Sequence, residues 1–325
     1  MKQSYLVTFI ITVFCVAGLL LLPMLFPPPS PTISTSFAKH PKPRESRKNK
    51  ALQRQLKLVT FNVLVDRVFH QQRTQGLLHI LKKSNADVIA LQEAAGWFLI
   101  PLLQKSWVKK HYHISRYKGR PVAPGGQFIL SKYPIRRTFW DILPGPQQRT
   151  ALYAELNVNG RSLTIATTHM ESPLTDGPIR AQQLARMFKR LKTYDDAILL
   201  GDFNFGDGEQ PETKTLDKNY FDLWTVLMKG KPGYTWDIPG NPLAKVGSFK
   251  GEGSRRLDRI LVRSKHWRAQ SIKIIGNRSV GKGKWFGSPL YVTGNKAIDE
   301  AHRNGLMMEI FPSDHYGLVG TIAWK

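Results

Sequence analysis

Six polar islands, each at or near the end of an apolar run, constrain this chain more than any other feature. In order they are Thr60-Phe61-Asn62, Leu91-Gln92-Glu93, Thr168-His169-Met170-Glu171-Ser172, Gly201-Asp202-Phe203-Asn204, Leu257-Asp258-Arg259-Ile260 and Ser313-Asp314-His315. An apolar run such as Ala197-Ile198-Leu199-Leu200 reads as a buried strand. Ending such runs in acid, amide or imidazole delivers reactive groups to one edge of a sheet.

The pattern between the islands supplies the rest of the frame. Leu56–Phe61, Asp87–Glu93, Gln127–Ser131, Ala151–Val158, Ser162–Thr168, Ala197–Asp202, Leu257–Val262, Ile272–Ile275 and Gly317–Ala323 are predicted strands, and the run Phe311–Leu318 reads as the opening of the last one. Gln75–Lys83 is a predicted helix. A second helix starts at Asp176-Gly177-Pro178, with Asp176 as its cap and Pro178 in its first turn. Many strands mixed with few helices predict an α/β or α+β sandwich of packed layers. No repeat of clear period is visible.

Composition narrows the partners. Lysine and arginine number 48 against 23 acids, a formal net charge of +25, which favours anionic partners. The only cysteine, Cys15, excludes an intrachain disulfide and a disulfide-linked partner through the body of the chain. Leu6 to Phe26 is almost wholly apolar and, as a helix, would reach about 31 Å, enough to cross a bilayer. This predicts a single-pass membrane anchor over 1–26, a proline-rich basic linker over 27–50 and a catalytic domain over 51–325. The alternative is a cleaved signal and a secreted body.

The islands also carry a chemistry. Glu93, Asp202, Asp258 and Asp314 gathered in one cleft would repel unless a cation neutralised them. Oxygen ligands without a cysteine cluster point to Mg²⁺ or Mn²⁺. Asn62 and Asn204 add amides, and His169 and His315 add groups able to move protons. Such a set suits hydrolysis of a phosphate ester.

As an ordered set, the islands resemble the endonuclease/exonuclease/phosphatase superfamily over roughly Leu56 to Lys325. The resemblance implies a four-layer α/β sandwich of two mixed β-sheets flanked by helices, like that of DNase I. It implies Glu93 and Asp314 as metal ligands, with Asn62 on the metal–phosphate network. His169, Asp202, Asn204, Asp258 and His315 take the catalytic roles, with His315 paired to Asp258; whether Asp202 or His315 activates water stays open. The stretch from Thr168 to Ser172 with Arg180 and Gln183, and Gly233-Tyr234-Thr235-Trp236-Asp237, resemble the tyrosyl-DNA phosphodiesterase 2 branch more specifically. On that likeness Arg180 and Trp236 join Asn62 as substrate-binding residues. Thr60-Phe61-Asn62 departs from that branch's Trp-Asn start, and Arg256-Leu257-Asp258-Arg259 lacks the cysteine usual in inositide 5-phosphatases.

Lys105–Arg120 and Arg263–Trp285 interleave cations with rings, a pattern that suits stacking on unpaired bases and equally suits a half-buried strand. Gly281–Trp285 reads as a loop able to reach a phosphate backbone. The expectation is a metal-dependent phosphodiesterase acting on nucleic acid. A membrane-associated lipid phosphodiesterase of sphingomyelinase type is the alternative.

Overall fold

The computed structural model describes residues 53–286 and 304–325. Its strands are β1 (Gln55–Asn62), β2 (Val88–Gln92), β3 (His113–Ile114), β4 (Arg116–Tyr117), β5 (Arg120–Pro121), β6 (Phe128–Ser131), β7 (Ile135–Ile142) and β8 (Thr150–Val158). There follow β9 (Arg161–His169), β10 (Ala197–Asp202), β11 (Phe221–Asp222), β12 (Asp258–Arg263), β13 (Trp267–Ile275), β14 (Gly281–Trp285), β15 (Leu306–Ile310) and β16 (Gly317–Trp324).

One sheet has the order β13-β16-β1-β2-β6-β3 and the other β11-β12-β10-β9-β8-β7. Each is built around one parallel pair, β1 with β2 and β9 with β10, and its other pairings are antiparallel. The two halves therefore repeat an arrangement that leaves no periodic trace in the sequence. The carboxyl ends of both parallel pairs lie at the same edge as the amino ends of their antiparallel neighbours β12 and β16. That is why all six islands meet.

Strand alternation decides which side chains fill the space between the sheets. Leu56, Leu58, Val88, Ala90 and Leu318 of the first sheet pack there against Leu163, Ile165, Ile198, Leu200, Ile260 and Val262 of the second. The opposite faces are closed by helices. Leu77, Leu81, Phe98, Leu102 and Val108, from helices His70–Ser84, Gly96–Gln104 and Ser106–His111, cover Val59, Phe61, Ile89 and Leu91. Leu184, Met187, Phe188 and Leu191 of helix Gly177–Leu191 cover Tyr153, Ala166 and Leu199. Helix, sheet, sheet, helix is the four-layer sandwich expected.

The inner face also changes character along each strand. Leu56 and Leu58 give way to Thr60 and Asn62, Leu163 and Ile165 to Thr167 and His169, and Leu200 to Asp202. At the changeover Gln92 Nε2 donates to Thr167 Oγ1 at 2.8 Å, and Thr60 Oγ1 lies 3.3 Å from Gln92 Oε1. This buried polar rung joins the sheets between the apolar floor and the reactive edge.

Several local expectations are corrected. Asp176 makes no side-chain cap to the helix at Gly177, because Leu174–Asp176 is already a tight 3₁₀ turn. Ser313–His315 is not strand but the loop leading into β16. Gly281–Trp285 is not a loop: it pairs with β15, and Trp285 is buried against Leu64, Leu243, Met308 and Phe311. In Lys105–Arg120 the rings of Trp107 and Tyr112 turn inward edge to face, while Lys109, Lys110, Lys118 and Arg120 stay exposed with Tyr117.

The expectation of a membrane-anchored chain is also corrected. Among the described residues no helix is long and apolar enough to cross a membrane. The two longest helices there have 15 residues, which at helical rise reach only about 22 Å against a hydrocarbon core of about 30 Å. The apolar run Leu6–Phe26 and the linker 27–50 lie outside the described residues.

Candidate active site

Asp202 closes β10, and its Oδ2 atom is the point on which the edge converges. Asn62 Nδ2 donates to it at 3.0 Å, His169 Nε2 lies 3.4 Å away and His315 Nε2 3.6 Å away. The other oxygen, Oδ1, accepts from the Asn204 backbone N–H at 2.9 Å. Burial alone would raise this carboxyl. The neighbouring His315 and His169, with the Asn62 and Asn204 donors, outweigh burial and hold it below the usual range.

Glycine makes this geometry possible. Gly201 pairs with Thr168 across β9 and β10 at a φ of 148°, and a Cβ there would lie 2.2 Å from the Thr168 carbonyl oxygen. The close approach brings Asp202 into register with His169 on one side and Asp258 on the other. Asn204 and Glu93 both adopt left-handed backbone, each with φ 54°. Non-glycine residues reach that region at a cost, and it recurs at functional sites.

Asn62 links two carboxylates. The Nδ2 atom that donates to Asp202 also donates to Glu93 Oε1 at 3.0 Å. Its Oδ1 accepts from the Leu64 N–H at 3.0 Å, which fixes the sense of the amide. Glu93 Oε2 accepts from the Val65 N–H at 2.6 Å, and its side chain remains one-fifth exposed.

The two histidines are held in opposite states. Burial, reinforced by the Arg149 guanidinium, pushes His169 down to about 4. Arg149 Nη1 lies 3.0 Å from His169 Nδ1. A guanidinium can only donate, so Nδ1 is the acceptor and the ring proton sits on Nε2, facing Asp202. Burial opposes charge on His315 too, but Asp202, Asp258 and Asp314 overcome it and raise the group well above its ordinary value. His315 Nδ1 lies 2.9 Å from Asp258 Oδ2. Burial raises the Asp258 carboxyl against the pull of His315 and of Thr235.

A surrounding frame holds these groups. Thr235 Oγ1 accepts from the Leu257 and Asp258 N–H groups, both at 3.0 Å, while the Thr235 carbonyl accepts from Tyr316 N–H at 2.7 Å. Thr235 thus ties Asp258 to the strand of His315. Trp236 packs on the His315 ring with centroids 5.0 Å apart. Asn241 Nδ2 donates to the carbonyls of Ser313 and Asp314 at 2.8 and 3.0 Å. Arg256 and Arg259 pair with Asp207 and Asp222, pinning the loop after β10 to the start of β12.

Most of the residues singled out in the sequence meet here: Asn62, Glu93, His169, Asp202, Asp258 and His315 directly, with Trp236 behind. Asn204 turns inward, its Nδ2 donating to the Met170 carbonyl at 2.8 Å. Asp314 folds back on its own loop, Oδ1 accepting from Ser313 Oγ and His315 N–H, both at 3.0 Å. Arg180 is not brought to the edge. It is buried, bonds Glu212 at 2.7 Å, and donates to the carbonyls of Glu171 and Pro173.

Sequence reasoning missed Arg149. No island contains it, and an arginine preceding a strand carries no periodic signal. It is aimed by Gln147, whose Oε1 accepts from Arg149 Nε at 3.0 Å and whose N–H donates to Glu171 Oε1 at 3.0 Å. Thr235 and Gln92 lie within the motifs Gly233-Tyr234-Thr235-Trp236-Asp237 and Leu91-Gln92-Glu93, but only the assembled sheets reveal what they bond.

The donor set fits a hard divalent cation. Asp202, Asp258 and His315 offer atoms within 4.8 Å of one another, but His315, held protonated and bonded to Asp258, has no lone pair for a metal, which leaves the carboxylates as donors. Glu93 and Asp202 are carboxylates sharing one amide, and Glu93 opens to solvent. Oxygen-rich donors with room for water suit such an ion.

A two-sheet sandwich with acids, amide and imidazoles along one edge defines a phosphoesterase-type site, and the chain belongs to the Endonuclease/Exonuclease/phosphatase family, whose model matches residues 59–315. It is similar to tyrosyl-DNA phosphodiesterase 2 of Xenopus tropicalis, with 26% identity over 261 residues, covering 78% of this chain and 61% of that protein. Similarity to the Homo sapiens protein of the same name is also 26%, over 276 residues, covering 81% of this chain and 66% of that protein. The chain thus spans less than two thirds of the length of these relatives. In fold it is similar to the crystal structure of D. rerio TDP2 complexed with single strand DNA product, at TM-score 0.62 and 20% identity, covering 82% of this chain and 98% of that one.

Proposed function

We propose that the chain is a divalent-metal-dependent phosphodiesterase that hydrolyses phosphodiester bonds in DNA, including a tyrosyl–DNA link. The observation that carries this reading is the convergence of Asn62, His169 and His315 on Asp202, with Glu93 sharing the Asn62 amide. Two further points support it: the relatives are named for tyrosyl-DNA cleavage, and the formal net charge of +25 suits a polyanion.

Glu93 and Asp202 would hold the cation, with Mg²⁺ or Mn²⁺ the ions best suited to their oxygens. Bound there, it would polarise a phosphoryl oxygen and neutralise developing charge. The chain's own groups divide the remaining work by charge state. Asp202 is held ionised, so it accepts the proton of the attacking water. His315 is held protonated by Asp202, Asp258 and Asp314, so it donates to a phosphoryl oxygen rather than acting as the base. Neutral His169 carries its proton on Nε2 and donates from the other side. Water adds to phosphorus, the ester P–O bond breaks, and the leaving oxygen takes a proton from the solvent-facing side. Trp236 gives the His315 side an aromatic wall suited to a tyrosyl leaving group. We assign the catalytic unit to residues 51–325.

The test is hydrolysis by the full chain with Mg²⁺ of 5′-tyrosyl-linked single-stranded DNA against unmodified single- and double-stranded DNA. Release of tyrosine, abolished by Glu93→Gln and by Asp202→Asn in folded protein, is the expected result. Equal turnover in both variants would overturn the assignment.

A further inference from the structure

Arg73 lies in the first turns of helix His70–Ser84 and is fully buried, with 0% of its surface exposed. A guanidinium has five N–H groups, and here each meets a backbone carbonyl. Nη2 donates to Val63 and Leu64 at 2.6 and 2.8 Å, Nη1 to Asp66 and Val68 at 2.6 and 2.8 Å, and Nε to Pro312 at 3.1 Å. The guanidinium also lies over the Trp97 ring, 4.9 Å from its centroid, while Trp97 Nε1 donates to the Val65 carbonyl at 2.8 Å.

Those carbonyls belong to the segments that set the site. Residues 63–68 follow Asn62 directly, and Pro312 immediately precedes Ser313-Asp314-His315. The loop divides its backbone groups between two customers. Its carbonyls at Val63 and Leu64 face Arg73, while its N–H groups at Leu64 and Val65 face Asn62 Oδ1 and Glu93 Oε2. Leu64 sits at φ 57°, a left-handed conformation that costs a branched residue free energy and persists only where surrounding contacts enforce it. Hydrogen bonds to the carbonyls on both sides of that residue's N–Cα–C unit supply the enforcement.

We propose that Arg73 is a positioning residue of the active site: through residues 63–68 it fixes the Asn62 amide and the Glu93 carboxylate, and through Pro312 it locks them to the strand that presents His315. The proposal rests on the metal-dependent reading of the site above. It explains why a cation is buried so deeply at the cost of desolvation. The geometry needs a flat fork with five donors, and lysine, with three donors at one point, cannot span the same carbonyls.

The experiment uses the full chain and its Arg73→Lys and Arg73→Gln variants. Mn²⁺ binding is followed by water-proton relaxation, turnover by kcat and KM, and folding by thermal melting. In folded variant, Mn²⁺ affinity should fall about 10- to 100-fold, the range for losing a group that orients a ligand. kcat should fall with KM within about twofold. Mn²⁺ affinity and kcat within about twofold of the parent, in either folded variant, would overturn the proposal. Amide exchange on the unaltered, metal-free chain gives a separate readout. The Leu64 and Val65 amides should be protected like those of helix His70–Ser84, and exchange at the rate of an open loop would sink the proposal whatever the variants do. If the parent neither binds Mn²⁺ nor turns over, the reading of the site fails while the exchange result still judges Arg73.

Discussion

His315 Nδ1, in the loop leading into β16 of one sheet, stands 2.9 Å from Asp258 Oδ2, at the start of β12 in the other. The pair crosses the seam of the sandwich at the reactive edge. Asp258 thereby orients the ring and keeps it charged, with Nε2 directed at Asp202.

Asp258→Asn should therefore lower kcat by about 10²- to 10³-fold, within the span associated with a single proton-transfer group. It should also destabilise the fold by about 3 kcal/mol, because a buried imidazolium loses its counter-charge. Single-turnover kinetics and denaturant melts read the two effects separately.

The two imidazoles should titrate in opposite directions. In metal-free chain, His169 should protonate only near pH 4 and His315 should stay protonated well above 6.5, as read by ring nitrogen shifts in NMR. For His169 the folded value lies below the unfolded one, so its contribution is present above about 6.5 and is lost as pH falls towards 4. That loss amounts to roughly 3 kcal/mol. For His315 the sign reverses: its contribution is present below 6.5 and is lost as pH rises through the elevated folded value. His169→Gln should remove the first limb and leave the second.

Metal removal should silence the chain without unfolding it. The cation site proposed above lies at the strand ends, over an apolar core that needs no ion. Chelation should abolish hydrolysis and leave the circular dichroism unchanged. Adding Mg²⁺ at a hundred times its dissociation constant should stabilise the parent by about 2.7 kcal/mol. Thermal melts should show that gain lost in Glu93→Gln.

Gly201→Ala should cost about 3 kcal/mol or more. Its Cβ would meet the Thr168 carbonyl at 2.2 Å, and the backbone there has φ 148°. Soluble yield and melting temperature check this, and a variant as stable as the parent would contradict the close approach of β9 and β10.

Arg180→Met should act on stability rather than on substrate. The arginine is buried with Glu212, and leaving that carboxylate alone should cost about 3–5 kcal/mol. In protein that remains folded, KM for DNA should be unchanged, because the guanidinium faces the loop after β9 rather than the edge.

Much of this was legible in the chain because reactive residues here sit at strand ends. A strand end is visible as an apolar run that stops, so Asp202 after Ala197–Leu200 and Glu93 after Val88–Leu91 could be read directly. The helix Gly96–Gln104 could not be read, since its sequence is apolar on all sides and contains Pro101. The hairpin of β14 and β15 was hidden because its glycines and lysines look like a loop until Trp285 finds its apolar pocket. Arg180 is expected at the substrate only through the likeness to the tyrosyl-DNA phosphodiesterase 2 branch, and its burial against Glu212 is not visible in the sequence. Arg73 and Arg149 went unread for the converse reason: their meaning lies in carbonyls and rings brought to them by distant segments.

The division of the site between the sheets has one more consequence. Asn62, Glu93 and His315 ride on one sheet, and His169, Asp202 and Asp258 ride on the other, with Asn62–Asp202 and His315–Asp258 spanning the gap. The molecule therefore works like a pair of calipers, with the catalytic groups at the tips of the jaws. A slip of a single residue between the jaws would shift the tips by about 3.4 Å, longer than any hydrogen bond there. Turnover is thus a gauge of how the two sheets are seated, and activity should fade on heating before the secondary structure does.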